Sequence, residues 1–323
     1  MYRLIQLNIG YPYPSKSKRG NKLTQFNPEI GQIDDLGHAI RRILAPNPSP
    51  MTFRGTNTYL VGTQSVAVID PGPADAAHLN AILQATDMGR TITHICVTHA
   101  HLDHSPLAAD LKQATGAPIY AFGRAKDGQS LFMKSIEDAG YTGGGEGIDF
   151  DFAPDVRLRD GDMIEGADWS LRTIHTPGHM SNHVCFALGD RLFSGDHVMD
   201  WATSMVSPPD GDLGDFIASC KKLITERWST FYPGHGERVT DPNTRTQWLI
   251  DHRSERDREI RAALGQGPNT ARAIATLVYS DLDSALLPAA TRNVFAHLLD
   301  MCSKGLITFD NPLTADTIFS PKE

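Results

Sequence analysis

Cysteine is scarce in this 323-residue chain: Cys96, Cys185, Cys220 and Cys302 are scattered and none forms a C-x-x-C pair. They read as small core residues of a protein in a reducing compartment, not as a disulfide framework. Long apolar runs are missing too. No stretch approaches the roughly 18 residues of a membrane span, so no membrane partner is expected. The opening residues, MYRLIQLNIGYPYPSKSKRGNK, lack an apolar segment followed by a small-residue cleavage site, which makes the cytoplasm the expected location. A basic excess is also lacking. Thirty Lys and Arg stand against 38 Asp and Glu, a net charge of −8. That balance disfavours wrapping a long nucleic acid by bulk electrostatics, though it leaves room for a local basic groove.

What is present is an ordinary globular composition, 40% apolar and 21% charged. The length suits one large α/β domain with a small appended one. Residues 1–35 read as an irregular extension with Pro12, Pro14 and a basic run at Lys16, Lys18, Arg19 and Lys22. Residues 36–247 read as the main domain. Strand-like runs end in turn residues at TNTYLVG, SVAVIDPG, ITHICVTH, PIYAFG, WSLRTIHTPGH, VCFALGD, RLFSGD and STFYPGHG, with helices over 76–86 and 106–116. Ser105 suits the cap of the second helix, Pro106 its first turn and Gly116 its stop. Gly189-Asp190 reads as a hairpin turn. The glycine-rich stretch 140–147 has little to pack and reads as a mobile loop. Residues 248–323 change character, to three helices and a short β-like end, and suggest a small winged-helix-like domain.

The strongest chemical signal is T-H-A-H-L-D-H, Thr98 to His104. It follows the apolar run 92–97, where a strand hands over to a helix. His99 and His101 are two apart, so an extended backbone points both imidazoles to one side. Asp103 and His104 follow at the turn. Imidazole nitrogen and carboxylate oxygen are donors that a borderline-soft cation such as Zn²⁺ accepts readily. His179 in TPGH, Asp196 in SGD and His235 in YPGH repeat the pattern, each behind a glycine and near a strand end. Ligands of α/β sheets gather beyond the carboxyl ends of strands, and glycine allows close backbone approach there.

These residues resemble the metallo-beta-lactamase superfamily over roughly residues 50–240. Its H-x-H-x-D-H motif falls on His99, His101, Asp103 and His104, and its later single ligands on His179, Asp196 and His235. The resemblance implies a four-layer αββα sandwich with two metal ions, zinc by default and manganese or iron as alternatives. It implies that His99, His101 and His179 hold one ion and Asp103, His104 and His235 the other, with Asp196 bridging them beside a water or hydroxide. A bridging hydroxide would then attack, and Asp103 would orient it or relay its proton. Asp70 matches the family's aspartate near the site, or else caps the DPG turn. Many members carry Gly-Gly after the motif where this chain has Ser105-Pro106, a departure that should alter the helix start alone.

Within that superfamily the chain is similar to the beta-lactamase-like protein 2 group, through the segment 47–62 and the helix DHRSERDREI with the small end domain. Glyoxalase II is a more distant relative. The first resemblance implies phosphodiester cleavage in a short single-stranded RNA, which is the leading expectation, and the second implies the alternative, hydrolysis of a small thioester, ester or lactone. A catalytically silent metal-binding sensor is the non-enzymatic alternative, and a homodimer is possible for any of them. His183 is a candidate for supporting a ligand or reaching substrate, or else an ordinary satisfied polar residue, and Trp201 reads as a buried rim aromatic, or else as a stacking face for a base. Arg253 and Arg256 could grip a phosphate, or could be ordinary members of a solvated helix with i,i+4 pairs such as Arg253–Asp257. The loop PPDGDLGD, with Asp210, Asp212 and Asp215, would repel a polyanion if it overhung the site.

Overall fold

The computed structural model describes residues 26–86, 89–267, 269–281, 283–310, 312–314 and 316–322. The basic run of the first 25 residues lies outside them. The first sheet takes seven strands in chain order: β1 (Ile33–Asp35), β2 (Ile40–Leu44), β3 (Asn57–Val61), β4 (Ser65–Ile69), β5 (Thr91–Cys96), β6 (Ile119–Ala121) and β7 (Val156–Arg157). Its β1–β4 half is antiparallel, and β4 to β7 run parallel. The second sheet holds β8 (Met163–Glu165), β9 (Ser170–His175), β10 (Val184–Leu188), β11 (Arg191–Gly195) and β12 (Thr230–Pro233), in the order β12-β11-β10-β9-β8.

Alternation along the strands builds the layers. Tyr59 and Val61 of β3, Ala67 and Ile69 of β4, Phe186 of β10, Phe193 of β11 and Tyr232 of β12 meet between the two sheets. Their neighbours point outward. Leu60, Val66 and Val68 pack with helices α1 (Ala76–Gln84) and α2 (Leu107–Thr115). Cys185, Leu192 and Phe231 pack with α4 (Leu213–Leu223) and the first half of α5 (Pro242–Leu264). Period-two side chains buried on both faces are what a covered sheet requires, and the result is the four-layer αββα sandwich with a smaller C-terminal unit.

That unit comprises the end of α5, α6 (Ala271–Val278), α7 (Leu287–Ser303) and a small sheet ordered β13-β15-β14 (Asn269–Thr270, Ile318–Pro321, Ile307–Phe309). Its core includes Ile260, Ile274, Val294, Leu298 and Phe319. It also takes Met133 and Ile136 from α3 (Leu131–Asp138), a helix of the sandwich.

Several expectations are corrected here. The segment expected to be irregular to residue 35 contains an edge strand, with Ile33 opposite Ile43. Helix α5 runs unbroken across residue 248, so no linker separates the units there. Ser105 does not cap α2. Its hydroxyl turns to Asp149 Oδ2 at 2.7 Å and to the His101 carbonyl, while Gly116 ends the helix in the left-handed region as expected. The glycine-rich stretch is tied down: Gly145 N–H donates to Asp210, the Gly147 carbonyl accepts from Leu102, and Glu146 pairs with Arg292.

Candidate metal centre

Seven side chains converge beyond the strand ends. After β5 the chain bends at Thr98 and His99, and His99 Nε2 lies 2.9 Å from His101 Nδ1. His179, reached four residues after β9, places Nε2 at 3.1 Å from the same His101 nitrogen. His99, His101 and His179 thus form one group whose donor atoms share a small space. Asp103, His104 and His235 form a second, with His235 Nε2 at 3.1 Å from Asp103 Oδ2 and 3.3 Å from His104 Nε2. Asp196, which follows β11, lies between them. One of its oxygens is 3.3 Å from His235 Nε2 and 3.7 Å from His179 Nε2, the other 3.5 Å from His104 Nε2.

Glycine is required at all three of the single-ligand corners: a Cβ on Gly178 would stand 2.3 Å from the Phe216 Cα. A Cβ on Gly195 would stand 2.6 Å from His183 Nε2, and one on Gly234 would stand 2.5 Å from Asp196 Oδ1. The sequence signal of a glycine before each single ligand therefore has a steric cause.

The outer nitrogens of the histidines show what the inner ones are for. His104 Nδ1 donates to Asp70 Oδ2 at 3.0 Å, His179 Nδ1 to the Met205 carbonyl at 2.7 Å, His235 Nδ1 to the Gly55 carbonyl at 3.2 Å, and His99 Nδ1 to the Thr98 hydroxyl at 2.9 Å. A histidine that spends its proton outward presents a lone pair inward, which is the arrangement of a metal-ligating imidazole. Asp196 Oδ1 is buried with no hydrogen-bond partner among the described residues. A cluster of inward lone pairs around an orphaned carboxylate oxygen fits divalent cations.

Electrostatics divide the cluster. Burial, then the neighbouring imidazoles, hold His99 well below its ordinary pKa and take His101 to about 3; burial also lowers His179. These three stay neutral. Burial works against charge on His104 and His235 as well, yet carboxylates overrule it. Asp103, Asp196 and Asp70 raise His104 well above its ordinary value, and Asp196 and Asp103 raise His235 to about 10. Asp103 and Asp196 fall below the usual carboxylate range in spite of burial, because His104 and His235 face them. A cation binding to these groups competes with protons for the same lone pairs.

Asp70 lies behind His104. It is buried, has φ 49°, and accepts from Thr98 N–H, the Thr98 hydroxyl and His104. His183 supports from below: its Nε2 accepts the Asp196 N–H at 3.2 Å and its Nδ1 meets Thr176 Oγ1 at 2.9 Å.

Trp201 is a half-buried rim aromatic: it stacks on Phe53, centroids 5.2 Å apart, and Phe53 stacks in turn on Phe26. Arg253 and Arg256 are neither phosphate grips nor solvated. Arg253 is 2% exposed and donates to Asn293 and the Ser204 carbonyl; Arg256 is 4% exposed and pairs with Glu259. In the PPDGDLGD loop, Asp210 faces the cleft, but Asp212 caps α4 and Asp215 lies in its first turn.

The metal-ligand cluster opens into a cavity of about 540 Å³. Its walls include Met51, Pro73, Leu102 and Met205, and its acids are Asp103, Glu146, Asp196 and Asp210. Among the described residues, Arg292 is the one lysine or arginine that lines it. Sequence reading missed Arg292, since a mid-helix arginine in α7 carries no local motif.

Comparison with known proteins matches residues 51–235 to the metallo-beta-lactamase superfamily and residues 270–311 to the beta-lactamase associated winged helix domain. The chain is 31% identical over 285 residues to a beta-lactamase-like protein 2 homolog of Drosophila melanogaster, covering 85% of this chain and 92% of that one. It is 33% identical over 245 residues to thioesterase pkgB of Emericella nidulans, covering 73% and 62%. In fold it resembles a beta-lactamase domain protein from Burkholderia ambifaria, with a TM-score of 0.74 at 21% identity over 92% of this chain and 96% of that one.

Proposed function

Because this chain belongs to the metallo-beta-lactamase superfamily, we propose that it is a metal-dependent hydrolase of a small, largely apolar thioester or ester. The observation that carries the substrate class is the lining of the cleft: apolar walls, four carboxylates and a single arginine. With one lysine or arginine in the lining, the cleft has few partners for the successive phosphates of a polyanion. The residues that would have served RNA, namely Trp201, Arg253 and Arg256, are committed to packing and to internal hydrogen bonds. A thioesterase among the relatives supports the same choice.

In this reading His99, His101 and His179 hold one divalent cation, Asp103, His104 and His235 a second, and Asp196 serves both, with zinc the default for an imidazole and carboxylate set. When bound, such cations supply Lewis acidity, which activates water and stabilises the oxyanion of acyl transfer. The chain's own residues set the geometry. Asp70 and the Met205 and Gly55 carbonyls fix three imidazoles, and His183 fixes Asp196 through its N–H. Asp103 is 26% exposed at its side chain and faces the cleft, so its carboxylate can orient an attacking water and take its proton. Met51, Leu102 and Met205 shed water around the acyl group.

One preparation assayed against S-lactoylglutathione, a generic lactone and a single-stranded RNA oligonucleotide, with and without chelator, tests this. Chelator-sensitive thioester or lactone turnover with intact RNA is the expected result. Chelator-sensitive RNA cleavage that weakens steeply with salt, and no acyl turnover, would overturn it.

A further inference from the structure

Arg292 reaches the cleft from α7, in the C-terminal unit, while every other charged residue of the lining belongs to the sandwich. Its guanidinium already holds a carboxylate. Nη1 lies 2.9 Å from one oxygen of Glu146 and Nη2 lies 3.1 Å from the other, the parallel fork that arginine forms with carboxylates and phosphates. The pair is open to solvent, with side chains 38% and 74% exposed. An exposed pair of this kind contributes little to stability, about 0–1 kcal/mol, and exchanges partners readily.

The position of Glu146 makes exchange possible. It stands in the run Gly143-Gly144-Gly145-Glu146-Gly147, where Gly144, Gly145 and Gly147 all have φ near 80°. The backbone is held at Gly145 by Asp210 and at Gly147 by Leu102, while the Glu146 side chain between those anchors stands in solvent apart from its pairing with Arg292. The wall of the same cleft is apolar at Met51, Leu102 and Met205.

We propose that Arg292 is the recognition point for an anionic group at the far end of the acyl substrate, a carboxylate or a phosphate monoester, and that Glu146 occupies it until substrate arrives. The inference rests on the acyl-hydrolase reading above. A substrate would then carry its scissile bond at the histidine cluster, an apolar stretch against Met51 and Leu102, and its charge at Arg292. The C-terminal unit thereby becomes part of the specificity of the site.

The test uses binding, so that it stands apart from catalysis. Uncleavable alkyl thioethers of one length, ending in a carboxylate, a phosphate or a neutral methylamide, are titrated calorimetrically into the metal-loaded full chain. In the wild type the anionic analogues should bind at least about tenfold tighter than the amide, the scale of one charge-assisted bidentate contact. Whichever of carboxylate and phosphate binds tighter identifies the source of the charge. Arg292→Ala should bring that ratio close to one, and Arg292→Lys should keep part of it, because the charge remains without the fork. Glu146→Gln should tighten the anionic analogues, since it removes the internal competitor; a salt bridge that merely strapped the units together would leave their affinity unchanged. A preference for anions that persists in Arg292→Ala belongs to the metal centre and overturns the proposal. So does equal binding of all three analogues by the wild type, or tight salt-sensitive binding of an RNA oligonucleotide that Arg292→Ala abolishes. If thioester turnover fails in the assay above while these ratios hold, the reaction has been misassigned and the anion site stands.

Discussion

Arg253 donates to the Ser204 carbonyl at 2.7 Å, one residue before the Met205 carbonyl that accepts the Nδ1 proton of His179. A helix that crosses into the C-terminal unit therefore braces the backbone that orients a candidate metal ligand. Arg245, one helical face away, grips the same segment at the Met199 and Ala202 carbonyls, and Ser204 Oγ closes it onto the His197 carbonyl.

From this it follows that Arg253 is a positioning residue. Arg253→Lys keeps a charge but loses the fork that reaches both Ser204 and Asn293. Metal affinity should fall about tenfold, at the lower end of what losing an outer partner of a ligand costs. Arg253→Ala should add about 2 kcal/mol of destabilisation by leaving a buried carbonyl unpaired. Metal titration followed by competition with a chromophoric chelator reads the first, thermal unfolding the second. A folded Arg253→Lys with wild-type metal affinity would show that the brace does not reach His179.

A second prediction separates a hydrolase from a metal-filled binding module. Asp196 is placed to serve both cation groups, so its loss should cut turnover by about two orders of magnitude or more. Asp196→Ala takes one carboxylate partner from the buried His104 and His235, which keep Asp103 and, for His104, Asp70, so Asp196→Asn, nearly the same shape, is the companion variant. Circular dichroism should show both folded, with reduced metal content. Full turnover in a folded Asp196→Asn would remove that residue from the reaction.

How much of this was legible in the sequence depends on how local each signal is. The strand runs ending at Val61, Ile69, Cys96, Leu188, Gly195 and Pro233 were readable from alternation and turn residues, and the sandwich followed from them. The histidine and aspartate cluster was readable because four of its members sit within six residues and the others share a glycine. Failures came where a residue's environment is set by distant chain. An i,i+4 charge pattern looks the same on a solvated helix and on one half-covered by Phe216, Ser204 and Asn293, which is why Arg253 was misplaced. Ser105 had a cap's identity and position, but a buried acceptor at Asp149 outcompeted the helix end. Arg292 and Glu146 are 146 residues apart, and only the docking of α7 brings them together.

The last prediction concerns the seam between the units, where Asp215 of α4 lies near Asp212 and near Asp300 of α7. Burial, then Asp212, then Asp300 raise Asp215 to about 6, and Asp300 is also raised in spite of its ion pair with Lys304 at 2.5 Å. The sign follows from linkage. A carboxyl whose folded pKa stands above its unfolded value holds its proton more tightly when folded, so its ionisation opposes folding above pH 6 and the cost fades as pH falls through 6. In a fully buried group such a rise would amount to about 3 kcal/mol, and partial exposure with solvent screening reduces it to about 1 kcal/mol. Asp215→Asn removes the charge, so the variant should melt about 2 °C above the wild type at pH 7.5. That gap should narrow as pH falls below 6, to about a third by pH 4.5, and close only below the ordinary carboxylate value near 3.8, where the unfolded chain is protonated as well. Thermal unfolding of both proteins across this range, under matched salt and metal, measures it. A gap that stays constant with pH would mean that Asn stabilises through packing or helix capping, and a variant that melts lower at pH 7.5 would mean that Asp215 gains more from the start of α4 than it loses to Asp212 and Asp300.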